Sequence, residues 1–145
     1  MTEWIAIGPH RYCSDGDALL WEPHGLVEKE HAAEIVEVLL AHGRRHEVTY
    51  FVVDSTDAQP LPAETRRVYA DALRRHRPQV IIISYGAGPL NRVAATLALR
   101  AGAIIAGIDI TAHAVASRKE AQSLLDTERA KRSRKQEAPS LARSK

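Results

Sequence analysis

The chain has 145 residues, 45% of them hydrophobic and 26% charged, with a formal net charge of +2. That size and balance fit one globular domain with a sizeable core and exclude wholesale disorder. No stretch approaches the roughly 20 apolar residues that cross a bilayer, and a single cysteine, Cys13, excludes an internal disulfide.

Residues 5–21 read as two short strands around the turn Ser14-Asp15-Gly16-Asp17, where Asp-Gly supplies the positive φ of a tight hairpin. The second strand ends at Pro23-His24-Gly25. A helix follows from Val27 to His42, with Ala32, Ile35, Val36, Leu39 and Leu40 on one stripe and Gly43 as its natural C-terminal cap. Val48 to Val53 is nearly all apolar, the pattern of a strand covered on both faces, and it ends at Asp54.

Pro62 opens a second helix that turns Val68, Tyr69, Ala72 and Leu73 inward and stops before Pro78. Val80 to Ile83 is the clearest strand, followed by the turn Tyr85-Gly86-Ala87-Gly88-Pro89 and a third helix over Leu90 to Ala101. Ile104, Ile105 and Ile108 to Ile110 supply a last, interrupted strand. Ser117, with Glu120 three residues on, marks a capping box for a final helix docked by Leu124 and Leu125. The domain is drawn over residues 1–128. Residues 129–145 hold seven basic residues against one acid and read as a basic, disordered tail.

Helices alternating with buried strands predict a single α/β domain with a mixed, mostly parallel sheet, an antiparallel N-terminal edge and about four helices. In such sheets ligands gather beyond the carboxyl ends of the strands. The candidate binding residues therefore lie in two turns, Asp54, Ser55, Thr56 and Asp57 in one and Gly86 and Gly88 in the other. Arg66 and Arg67 on the second helix and Arg92 in the third flank them.

Each candidate has a plainer reading. Carboxylates and hydroxyls after a strand also satisfy turn backbone groups. Gly86 and Gly88 open a helix and so offer an anion its free N–H groups, but they lack the third glycine of a dinucleotide fingerprint and any P-loop Gly-Lys. Arg66 is within reach of Asp54 or Asp57, as an ion pair or as a partner contact. A receiver-type phosphoacceptor at Asp54 would need a later lysine, and none occurs between Lys29 and Lys119. Among the seven histidines, His42 and His46 are four apart but divided by Gly43, so no metal motif and no cofactor is expected.

The stretch from Asp54 through Ala63-Glu64-Thr65-Arg66-Arg67-Val68-Tyr69, Val80-Ile81-Ile82-Ile83 and Pro89-Leu90-Asn91-Arg92 to Glu120-Ala121 and Leu124-Leu125 resembles the SpoIIAA-like branch of the STAS domains, the cousins of anti-sigma-factor antagonists. The resemblance covers roughly residues 17–126. It implies a four- to five-stranded sheet with helices mostly on one face, and a non-enzymatic regulatory module in bacterial-type signalling. Such a module would bind a protein partner through the Asp54 loop and the following helix.

Members of the wider family carry a phosphorylatable serine at the start of that helix. Here the stretch reads Pro60-Leu61-Pro62-Ala63, so phosphorylation would fall instead on Ser55, Thr56 or Thr65. Lipid-binding-like relatives keep a second reading open, a small anionic, nucleotide or lipid ligand. Nucleic acid is expected only through the basic tail. The N-terminal Met1-Thr2-Glu3-Trp4 lacks the features of a signal peptide, and cytoplasmic location is the expectation.

Overall fold

The computed structural model describes residues 3–91 and 110–143. Six strands form one sheet in the order β1-β2-β3-β4-β5-β6, every strand beside its neighbour in sequence. β1 (Ile5–Ile7), β2 (His10–Asp15) and β3 (Ala18–Glu22) pair antiparallel. β4 (Thr49–Asp54), β5 (Val80–Tyr85) and β6 (Thr111–Val115) continue parallel to β3. The domain is thus α/β, mixed and antiparallel at its N-terminal edge, as the sequence pattern predicts.

Two crossovers carry α1 (Lys29–Arg45) from β3 to β4 and α2 (Ala63–His76) from β4 to β5. Residues 89–91 begin a further helical turn, and α3 (Arg118–Arg143) follows β6. Side chains alternate along each strand, so the sheet builds two cores. Leu19, Trp21, Phe51 and Val80 meet Ile35 and Leu39 of α1 on one face, with Val68 and Tyr69 of α2 beside them. Ala18, Tyr50, Val52 and Ile83 meet Ala121 and Leu125 of α3 on the other. Fully buried side chains such as Ile35 and Ile83 contribute about 1.5–3 kcal/mol each by leaving water.

Helices therefore cover both faces, where the resemblance implies mostly one. The sheet also has six strands instead of four or five. The extra strand arises because Gly8, at φ +56, turns the chain between Ile7 and His10 and splits the first expected strand into a hairpin. The later hairpin turns at Gly16 (φ +60) between Asp15 and Ala18, where the Asp-Gly pair places it.

Helix α1 does not stop at Gly43. It runs one turn further because His42 is buried and fixed at both ring nitrogens. Nδ1 lies 3.0 Å from Thr49 Oγ1 and Nε2 lies 3.1 Å from the Gly16 carbonyl. His46 then stacks on His42 at 4.4 Å, one turn on. The final strand also differs, since β6 uses Thr111–Val115. The expected third helix over 90–101 and the isoleucines at 104–109 lie largely outside the described residues.

The chain does not fray at residue 129. It stays helical to Arg143, and α3 is pinned to the body by Arg129 Nε, 3.0 Å from Asp17 Oδ1, and by Arg132, 2.9 Å from Glu47. Composition alone cannot register two cations that find acids more than eighty residues away. The Ser117 cap is in place, Ser117 Oγ accepting from Glu120 N, while the Glu120 carboxylate reaches one residue further back than in a capping box and accepts from Ala116 N.

Candidate functional site

β4 and β5 end side by side, with Asp54 opposite Tyr85. Beyond them the chain folds into a short hydrogen-bonded turn. Ser55 N donates to the Tyr85 carbonyl at 2.8 Å, and Ala58 N donates to the Ser55 carbonyl at 3.3 Å. Asp54 Oδ1 accepts from both the backbone N–H (3.1 Å) and the hydroxyl (2.6 Å) of Thr56. The carboxylate thereby closes the turn on itself, the local pattern that makes Asp and Thr favoured there.

Gly86 lies directly under this turn. It adopts φ +91, and a Cβ at this position would collide with the Thr56 hydroxyl and backbone. Gly86 N donates to the Ala116 carbonyl at 3.3 Å, tying the β5 turn to the end of β6. Gly88 faces open space. Burial, and next the Asp54 charge beside it, push the Tyr85 phenol above its ordinary value.

The ends of β3 and β4 are bound together by a second set of contacts. Gly25 N donates to the Asp57 carbonyl at 2.7 Å, and Gln59 N returns a bond to the Gly25 carbonyl at 3.1 Å. His24 sits between two carboxylates, Nδ1 3.3 Å from Asp57 and Nε2 3.3 Å from Glu22. Glu22 also holds Arg11 Nε at 2.9 Å. Behind them His10, buried in the core, accepts from His24 N at 2.9 Å and packs against Trp21 and His31. Burial, and after it the neighbouring His31, hold His10 below the ordinary imidazole value.

The fold brings Asp54, Ser55, Thr56, Asp57 and Gly86 into one surface at the carboxyl edge of the sheet. Arg66 and Arg67 are exposed on α2, and of the two readings of Arg66 the ion pair with Asp54 or Asp57 is not formed among the described residues. Asp54 is turned to Thr56 and Asp57 to His24. Arg92 lies outside the described residues. Of the three hydroxyls singled out for modification, Thr65 is 1% exposed and donates to the Val27 carbonyl at 2.8 Å, which locks the first turn of α2 to the start of α1. Thr56 is exposed with its hydroxyl given to Asp54, and Ser55 is half-buried.

Sequence reasoning missed the apolar part of this edge. Leu26, Leu61 and Leu90 are 44%, 38% and 86% exposed, one in each of the segments that follow β3, β4 and β5. A signal was present: each stands beside turn residues, in Gly25-Leu26, Pro60-Leu61-Pro62 and Pro89-Leu90, where loops are ordinarily polar. Glu22 and His24 carry no signal in sequence because Arg11 and Asp57, which hold them, come from β2 and from the loop after β4. Neither of two surface cavities reaches Asp54 or Gly86. One lies at the amino ends of β4 and β5, the other beside β1, β2 and α1.

Among the described residues no group of three or more His, Cys, Asp or Glu side chains is placed to hold a metal ion. No described helix is long and apolar enough to cross a membrane. Comparison with known proteins finds no family model that matches the chain and no match among curated proteins.

Proposed function

We propose that the carboxyl edge of the sheet is a docking surface for a protein partner, and that the domain is a regulatory module that performs no chemistry. The observation that carries this reading is the set of exposed leucines in the loops that leave the sheet beside a fixed polar turn. Leu26, Leu61 and Leu90 come from three successive loops, and Asp54, Thr56 and Gly86 sit among those loops in a braced arrangement. Protein interfaces are built in this way, from apolar anchors within a polar rim. Arg66 and Arg67, exposed on the adjoining face of α2, supply charged rim groups.

The resemblance to SpoIIAA-like STAS domains, carried by the order and spacing of short motifs, points to the same reading. It supplies no partner identity. A cytoplasmic setting accords with Cys13, which is unpaired and buried. A small anionic or lipid ligand at this edge is the second reading, and the Gly86 N–H that an anion would use is already given to Ala116.

The test is capture from lysate of the parent cell with the tagged full chain, compared with an Arg66→Glu/Arg67→Glu variant. Both side chains are exposed, so the variant is expected to fold as the wild type does. The reading predicts a partner retained by the wild type and lost by the variant. Equal retention by a variant with an unchanged melting temperature would contradict it.

A further inference from the structure

The opposite end of the sheet is a second surface with a different character. α1 and α2 each begin at the carboxyl end of a strand and finish at the amino end of the next. Their basic last turns, Arg44-Arg45 and Arg74-Arg75, therefore stand beside the starts of β4 and β5. α3 starts at the other end, beside Val115, and runs back to the same edge, where it carries its own basic stretch.

These three segments are far apart in sequence, and the fold gathers them. Between the end of α2 and α3 lies a groove of about 460 Å³, floored by Val48, Pro78, Val80 and Ile81, whereas Arg45 of α1 lines the cavity beside β1 and β2. Arg77, Lys131, Arg132 and Lys135 line it, against one acid, Glu128. Glu128 is occupied by Lys131 and His113, and Arg132 by Glu47. Among the described residues Arg77 and Lys135 have no ion-pair partner, and they face one groove, Arg77 from the cap after α2 and Lys135 from α3.

We infer that this amino-terminal edge binds the phosphate backbone of double-stranded nucleic acid, without reading sequence. Phosphodiester contacts require cations spread along a surface, and Arg77 after α2 with Lys131, Arg132 and Lys135 of α3 provide that around one shallow groove. No aromatic side chain lines the groove, so it offers no stacking platform for the bases of a single strand. An anionic membrane is the poorer fit. Among the described residues the large exposed apolar ones, Trp4, Ile5, Leu26, Leu61 and Leu90, lie at the β1 border or on the carboxyl edge, and none of them lies at this end to enter the headgroup layer.

The mild negative charge of the body conceals this surface in sequence. The acids at this end, Asp17, Glu47 and Glu128, are each held in an ion pair, with Arg129, Arg132 and Lys131 respectively.

The experiment is a binding titration of the full chain against a 20-base-pair DNA duplex of arbitrary sequence, over a range of salt. Binding is expected with affinity falling in salt at a log–log slope of about −3, as for three or four phosphate contacts. Arg77→Glu/Lys135→Glu should weaken it at least ~10-fold, whereas Lys119→Glu at the far end of α3 should leave it unchanged. Should the reversed pair melt early, Arg77→Gln/Lys135→Gln decides, with a several-fold loss expected. No duplex binding at low salt, an equal loss in Lys119→Glu, or tighter binding to vesicles of anionic phospholipid than to the duplex would overturn the inference.

Discussion

The Thr56 hydroxyl donates to Asp54 Oδ1 at 2.6 Å, and this bond holds the turn after β4 closed over Gly86. The strand-end acid is thus a brace for the loop before it is a recognition group. The backbone of Gly86 completes the brace from the neighbouring strand, because only a residue without Cβ fits beneath Thr56 at that φ.

Gly86→Ala should accordingly destabilise the domain by about 1–3 kcal/mol, through positive-φ strain and the clash with Thr56. Gly88→Ala, which faces open space, should change stability by less than about 0.5 kcal/mol. Urea unfolding of the two variants side by side measures the contrast. Equal effects would show that the loop does not sit on Gly86.

Thr65→Val keeps the volume of a buried side chain and removes its hydroxyl. The Val27 carbonyl is then left without its donor in the core, at a cost of about 1–3 kcal/mol. A melting temperature matching the wild type would contradict the 2.8 Å bond. The same burial closes Thr65 to a modifying enzyme in the folded chain, so phosphopeptide mapping should find any phosphate at Ser55 or Thr56.

How far the fold could be read from sequence follows from where each signal resides. Val80 to Ile83, the stripe of α1 and the Ser117 cap are local patterns, and each forms where its spacing predicts. The α1 terminus was misread because Gly43 is a local stop signal, while the grip of His42 on Thr49 and Gly16 is tertiary. The helix continues past residue 129 for the same kind of reason, its anchors being Asp17 and Glu47. At the candidate site the polar residues were legible from the strand end. Its leucines were passed over because isolated apolar residues carry no periodicity.

Stability should fall in acid, and two buried histidines set the direction. Burial first holds His42 below its ordinary 6.5, with the bond to Gly16 opposing, and burial lowers His10 as well. The unfolded chain then takes up protons near pH 6.5 that the folded chain refuses until lower pH. Their contribution is complete above about 6.5 and is lost as pH drops through the folded values. Urea midpoints at pH 8 and pH 5 should differ, and His42→Gln should reduce the difference. A midpoint independent of pH would contradict neutral, buried imidazoles.

Ending the chain after Glu128 removes Arg129 and Arg132, each held in a partly exposed ion pair worth at most about 1 kcal/mol. That truncation should lower the melting temperature measurably, whereas ending it after Lys135 should not. Identical melting curves for the two would return residues 129–135 to the status of an unattached tail.

The docking claim is tested most directly by placing a photo-crosslinking amino acid at Leu61 and, in a second protein, at Arg134 on the opposite end of the molecule. Irradiation in the parent cell should yield a discrete protein adduct from position 61 that position 134 does not give. No protein adduct at 61, or the same adduct from both positions, would contradict a partner-binding surface at the Asp54 edge.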